Sequence, residues 1–316
     1  MVVEEPPRFQ TAGPGPEYET LGMMGSNLLI DDPKAVAKAN DLANRLGLDT
    51  ISLGACIGLA MEAFERGWLT VGDTSGLEVR WGDPAVLLAL TEQIGRRKGF
   101  GALFADGSVA AAERIGGGAP EAVAHVKGLD LPAHDARACF SLAINYATST
   151  RGACHMRGVT EDVEMGGFYI PEVGVTRDST AFFNPAGKAE MTIKVQDYSA
   201  LLNSLVVCAF MVDGGELSYT GLAEMVNLTT GWDWSVDGFQ KAGARIFTAQ
   251  RLINVRDGFD RRSDTLPKKM RIPAKNGFRA GRVPVPFEPL LDEYYALRGW
   301  DGDGRPTPQT LAGLGL

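Results

Sequence analysis

A chain of 316 residues, 45% hydrophobic and 22% charged, is long enough for two domains with separate cores and has the balance of a soluble globular protein. Its 39 acidic side chains against 31 basic ones leave a formal net charge of −8, which repels a phosphate backbone and argues against nucleic acid as a partner. Residues 1–7 carry Glu4 and Glu5 where a secretory signal has lysines, and the strongly apolar stretch 201–212 contains Asn203 and Ser204 and is too short to span a bilayer, so a cytoplasmic protein with no membrane partner is expected.

The four cysteines, Cys56, Cys139, Cys154 and Cys208, are scattered without a C-x-x-C pair. They read as reduced thiols, and no complete metal site is legible in their spacing.

In chain order, Gly13-Pro14-Gly15-Pro16 forbids regular structure and predicts a loop that delivers Glu17-Tyr18-Glu19-Thr20. Two carboxylates flanking an aromatic on a stiff lead-in fit an acid/base pair in a pocket, and they fit a solvated turn as well. Asp31-Asp32-Pro33 then opens a helix. Val36, Ala39, Leu42, Ala43 and Leu46 form its apolar stripe and Gly47 ends it. Asn44 falls in the last turn, and Asp49 just beyond either caps the next helix or receives donors from a ligand. That next helix, 51–65, is apolar almost all round and predicts a buried central element with Cys56 in the core. Residues 68–81 read as a polar excursion that allows a hairpin. Helices follow over 83–97 and 108–115, and Gly116-Gly117-Gly118 breaks the pattern. The segment 127–132 is taken as the boundary between a first domain, 1–128, and a second, 129–316.

A helix over 135–148 leads directly into Arg151-Gly152-Ala153-Cys154-His155-Met156-Arg157-Gly158. Two guanidiniums, an imidazole and a thiol between glycines suit an anion pocket that also handles protons; an exposed basic loop with an incidental histidine is the plainer reading. His125 and His134, near the boundary, read as surface residues. Residues 161–187 read as a long surface excursion. An apolar helix over 197–211 carries Asn203 and Cys208, and a buried amide there needs partners. Helices over 220–230 and 235–256, a basic loop around Arg261, Arg262, Lys268, Lys269 and Arg271, and a last helix over 290–297 complete an all-α chain of two helical domains.

Four segments in this order resemble the tungsten-dependent aldehyde:ferredoxin oxidoreductase family. They are Gly15-Pro16-Glu17-Tyr18-Glu19-Thr20, Asn44-Arg45-Leu46-Gly47-Leu48-Asp49-Thr50, the stretch 151–158, and Leu291-Asp292-Glu293-Tyr294-Tyr295-Ala296-Leu297-Arg298-Gly299-Trp300. The resemblance covers essentially the whole chain. It implies two helical domains that close over a tungsten, or molybdenum, bis-pterin cofactor lying on a separate β-domain. The family's D-x-x-G-L-D and D-x-x-G-L-C pterin motifs match Asn44-x-x-Gly47-Leu48-Asp49 and Asn203-x-x-Val206-Val207-Cys208, with asparagine for the leading aspartate in both, which weakens each contact. Arg151 and Arg157 match basic positions flanking the pterin, and Glu19 and His155 match the glutamate and histidine beside the metal. Cys208 matches the last of four cysteines that bind a [4Fe-4S] cluster.

The family's C-x-x-C-x-x-x-C run and its β-domain do not occur in these residues. The expectation is therefore a truncated gene, an isolated fragment, or one half of a split enzyme whose other half is a separate chain, with no turnover by this chain alone. The implied reaction is oxidation of an aldehyde to a carboxylic acid, with electrons leaving through the cluster to ferredoxin or another electron-transfer subunit. Glu19 is expected to take a proton from the attacking water and His155 to polarise the carbonyl. The alternatives are a tungsten subunit of an aryl-CoA reductase of the benzoyl-CoA type, and a non-catalytic helical subunit lacking cofactor.

Overall fold

The three- and four-residue spacing of Val36, Ala39 and Ala43 folds as expected into a helix, α2 (Pro33–Leu46), in a computed structural model that describes residues 1–177, 182–213, 217–284 and 286–316. Asp32 caps it, accepting from the N–H groups of Lys34 at 2.9 Å and Ala35 at 3.4 Å. Contacts divide the chain into two units, residues 1–133 with 267–269, and residues 134–266 with 270–316.

The first unit contains α2 with α1 (Tyr18–Met24), α3 (Thr50–Glu65), α4 (Pro84–Gly95), α5 (Ser108–Ile115) and the single turn α6 (Ala119–Ala122). Its core gathers around α3, where Leu53, Cys56, Ile57, Ala60 and Met61 are all buried. Gly54 lets α1 approach closely, because a Cβ there would lie 2.5 Å from the Met23 carbonyl oxygen. Two minimal antiparallel pairs complete the unit, β1 (Val2–Val3) with β2 (Thr11–Ala12) and β3 (His125–Val126) with β4 (Leu129–Asp130). No hairpin forms over 68–81, which is a run of turns held by the Asp73 carboxylate on the Thr70 N–H and hydroxyl at 2.8 and 2.6 Å.

The second unit is built on α9 (Lys188–Leu205), which packs most extensively on α12 (Val236–Arg256) and also meets α7 (Phe140–Thr148) and α13 (Phe287–Arg298). Around them lie α8 (Thr160–Met165), α10 (Phe210–Asp213), α11 (Tyr219–Thr230) and α14 (Pro308–Leu314), the last not foreseen in the sequence. The all-α class holds. Among the described residues no single helix is long and apolar enough to cross a membrane.

Three boundaries differ from expectation. Helix α7 starts at Phe140 rather than 135: the Asp135 carboxylate folds back on the Arg137 N–H at 2.9 Å, making a turn, and the helix is capped from outside when Glu164 Oε1 accepts the Ser141 N–H at 2.8 Å. Helix α9 begins nine residues early and ends before Cys208, so it carries Asn203 alone. Its entry is Gly187 at φ 75° with no side-chain cap, and its first turn buries Lys188 against Glu164 at 3.2 Å. The stretch 161–187 is a surface excursion only in part: Phe168, Ile170 and Val175 are core residues and Glu161 and Glu164 are buried, whereas Met165, Gly166, Gly167, Pro171, Glu172, Gly174, Phe182 and Asn184 are exposed; residues 178–181 lie outside the description.

Candidate functional site at two helix ends and a basic turn

Two helices, one in each unit, end in the same way. At the end of α2, Gly47 is left-handed (φ 68°), its N–H bonds back to Ala43 and Asn44, and the Leu48 N–H reaches the Ala43 carbonyl at 2.9 Å. At the end of α9, Val206 takes that left-handed place (φ 59°), and the N–H groups of Val206 and Val207 reach the carbonyls of Asn203 at 3.3 Å and Leu202 at 3.2 Å. Leu48 and Val207 are half-buried, each packed against its unit's core, while Asn44, Asp49, Asn203 and Cys208 are exposed. This is a Schellman-type finish, with an apolar residue after the left-handed one seating the turn. A helix C-terminus carries partial negative charge and spare carbonyls, so it favours ligands rich in N–H donors.

The side chains at these ends are partly occupied. Asp49 caps α3, accepting the Ser52 N–H at 2.8 Å, so it fills the capping role that was one of the two open to it. Asn203, exposed, donates through Nδ2 to the Ser199 carbonyl of its own helix at 2.7 Å. Glu19 lies near the α3 start, since its neighbour Thr20 shares a 2.8 Å hydroxyl bond with Thr50. Glu19 is not in the expected loop but in the first turn of α1, which Glu17 caps on the Glu19 N–H at 2.9 Å. Its side chain is buried, and Oε2 accepts the Ala133 N–H at 2.7 Å.

In the second unit the stretch 151–158 wraps into a tight turn that includes the short 3-10 segment His155–Arg157. Helix α12 fixes its entry: Gln250 Oε1 accepts from Thr150 Oγ1 at 2.8 Å, and Asn254 Nδ2 donates to the Thr150 carbonyl at 2.8 Å. Thr150, Arg151, Arg157, Gln250, Ile253 and Asn254 line a cavity of about 250 Å³. Arg151 is exposed and Arg157 half-buried, and among the described residues neither guanidinium has a carboxylate partner. Such a pair of unmatched, donor-only cations around a cavity fits an anion or the acceptor edge of a heterocycle.

His155 is half-buried and stacks on His134, ring centroids 4.4 Å apart at 24°. His134 is thus not an incidental surface residue. Its carbonyl accepts the Tyr146 hydroxyl at 2.9 Å, which ties it to α7; burial raises the nearby Asp162 carboxyl above its ordinary range, with His134 acting in the opposite direction. The sequence carried no signal for this stacking, which is made by residues 21 apart in the chain. Gln250 and Asn254 were missed for the same reason.

The thiols differ in character. Cys56 and Cys139 are buried; burial pushes the Cys56 thiol up to about 12, and at Cys139 burial, with Glu164 and Glu161 nearby, raises the thiol strongly. Cys154 is buried too, and Cys208 is the exposed one. Asp130, also missed, is a buried carboxyl that accepts the Ser108 hydroxyl at 2.5 Å; burial, with Asp49 nearby, raises it to about 6.

Each unit is helical and gathers polar groups at helix ends, which defines an all-α protein. The family model described as aldehyde ferredoxin oxidoreductase, domains 2 and 3, matches residues 1–316, and the chain belongs to this family of oxidoreductases. It is 37% identical over 317 residues to the tungsten-containing aldehyde ferredoxin oxidoreductase of Pyrococcus furiosus, a match covering 98% of this chain and 50% of that protein. It is 28% identical to the aliphatic sulfonate oxidoreductase, WOR-like subunit, of the same organism, over 95% of this chain and 46% of that one. The chain thus spans about half the length of the relatives it matches. Its fold is also that of a chain in the active-site complex BamBC of benzoyl coenzyme A reductase, with a TM-score of 0.75 at 22% identity over 95% of this chain and 48% of the other.

Proposed function

We propose that this chain is the helical part of a tungsten, or molybdenum, bis-pterin oxidoreductase that oxidises an aldehyde to a carboxylic acid. A [4Fe-4S] cluster, once its further thiolates are supplied, would provide the outlet for electrons toward ferredoxin or another electron-transfer subunit. The observation that carries the reading is the repeated helix end, Asn44 to Asp49 and Asn203 to Cys208, one per unit, as a two-pterin cofactor calls for. The partial negative charge of a helix C-terminus and an exposed asparagine at each end suit the amine edge of a pterin, and Arg151 and Arg157 suit its anionic and acceptor groups. Identity of 37% to aldehyde-oxidising relatives favours this chemistry over an aryl-CoA reduction, for which the likeness is one of fold.

The cluster fits this chain only in part. Such clusters take four thiolates, and Cys208 alone of the four cysteines is exposed, so the remaining ligands come from a further segment or a separate polypeptide. When bound, the cofactor supplies the redox chemistry, and the protein contributes position and proton handling. Glu19, oriented by the Ala133 N–H, takes the proton from the attacking water. His155, held flat against His134, donates toward the carbonyl oxygen and polarises it.

The test is anaerobic purification of the chain with whatever accompanies it, followed by metal, pterin and aldehyde-oxidation assays. Glu19→Gln and His155→Ala are each expected to lower turnover by roughly 10²–10⁴-fold with metal content unchanged, the usual weight of general acid–base help. Full turnover in both variants overturns the roles; a metal-free preparation overturns the cofactor.

A further inference from the structure

The segment 291–300, one of the four that carry the family resemblance, makes no part of the helix ends or the basic turn. Its buried side chains instead enter a file of polar groups crossing the core of the second unit behind that turn. Arg298 Nη1 pairs with Asp197 Oδ1 at 2.5 Å, and its Nη2 donates to Gln196 Oε1 at 3.0 Å. The Tyr294 hydroxyl donates to the same oxygen at 2.6 Å. Gln196 Nε2 in turn donates to Asn145 Oδ1 at 3.1 Å and Thr148 Oγ1 at 3.0 Å. Asn145 Nδ2 then donates to the Cys154 carbonyl at 3.3 Å. Gln196 and Asn145 are fully buried.

The order of donors and acceptors has one consistent setting. A guanidinium only donates, so Gln196 must turn its oxygen toward Arg298 and its NH₂ toward Asn145. Asn145 must then offer its oxygen to Gln196 and its NH₂ to the Cys154 carbonyl. The file presses directly on the turn: a Cβ on Gly158 would stand 2.6 Å from Asn145 Oδ1 and 2.9 Å from Gln196 Cγ. We propose that Arg298, Gln196 and Asn145 form a polarity relay. Arg298 fixes the orientation of both amides, and Asn145, as a positioning residue, holds the Cys154 carbonyl and so sets His155 and Arg157. The function given to this arrangement rests on the roles proposed above for His155 and Arg157; the geometry itself does not.

The experiment is deuterium uptake on the whole chain, with the NMR ring signals of its three histidines as a second readout. Gln196→Glu keeps the acceptors for Arg298 and Tyr294 but has no donor for Asn145, which then turns its NH₂ to Glu and its oxygen to the Cys154 carbonyl. Uptake over 152–158 is expected to quicken at least tenfold, and the His155 and His134 signals to move while that of His125 stays. Gln196→Met, neutral and equally without donors, frees Asn145 Oδ1 without drawing its NH₂ away, so uptake over 152–158 is expected to quicken by a smaller factor; it serves if the carboxylate variant does not fold. Tyr294→Phe removes a hydroxyl from the same file and leaves the polarity intact, so uptake over 152–158 is expected to stay at the parental rate. Parental uptake in both Gln196 variants, or loosening in Tyr294→Phe equal to theirs, overturns the relay. Uptake is read without cofactor, so failure of the oxidoreductase reading would appear in the metal and turnover assays and not here.

Discussion

Asp130 shows how a single carboxyl couples stability to pH. Burial lifts it from 3.8 to about 6 despite the Ser108 hydroxyl, so between those values the folded chain keeps a proton that the unfolded chain has released. The unfolded state therefore gains relative to the folded one as pH rises through that window, by up to about 1.4 kcal/mol per pH unit, and the cost persists above it. Asp130→Asn retains an acceptor for Ser108 and carries no charge. Urea titrations between pH 4 and 8 are expected to show a flatter pH profile for this variant and a higher midpoint than the parent at pH 7; a parental slope rejects the assignment. Nothing local to Asp130 signals this, since burial of a polar group is a property of what packs over it.

Helix ends were read better than helix beginnings. The starts of α2, α4 and α12 carry their own caps, at Asp32, Asp83 and Ser235, and each was placed within a residue or two. The starts of α7 and α9 have no side-chain cap of their own: a distant glutamate serves one and a left-handed glycine the other, so local signals misplaced both. Polar but buried Lys188, Gln196 and Asp197 also disguised the first half of α9. At its other end, Val206 occupies a left-handed place that the matching Gly47 takes without strain, and at 90% exposure nothing packs it there. A branched residue in that region costs about 1–2 kcal/mol. Val206→Gly is expected to raise stability by about 1 kcal/mol, read as a higher urea midpoint at unchanged slope; a lower midpoint contradicts the strain.

Across the whole molecule, the motifs proposed to form the candidate site were legible because they are short and local: the two asparagine-led helix ends, Glu19 and the basic turn. What braces them was not, because His134, Gln250, Asn254 and Asn145 meet their partners only after folding. The thiols give a test at this scale. Native chain is expected to take up one maleimide rapidly, at Cys208, and unfolded chain four; rapid uptake of more than one by the native chain would show that Cys56, Cys139 or Cys154 is open.

The relay also imposes an order on synthesis. The turn at 151–158 lies near the middle of the chain, whereas the cation that orients its support is Arg298, bonded to partners 101 and 102 residues earlier. At about 5–20 residues per second, a ribosome takes on the order of ten seconds to travel from one to the other. Through that interval the nascent turn has Asn145, whose NH₂ the Cys154 carbonyl can already engage, but lacks the guanidinium that holds Gln196 in its setting. A polypeptide interrupted before α13 lacks Arg298, and its deuterium uptake over 152–158 is expected to exceed that of the whole chain.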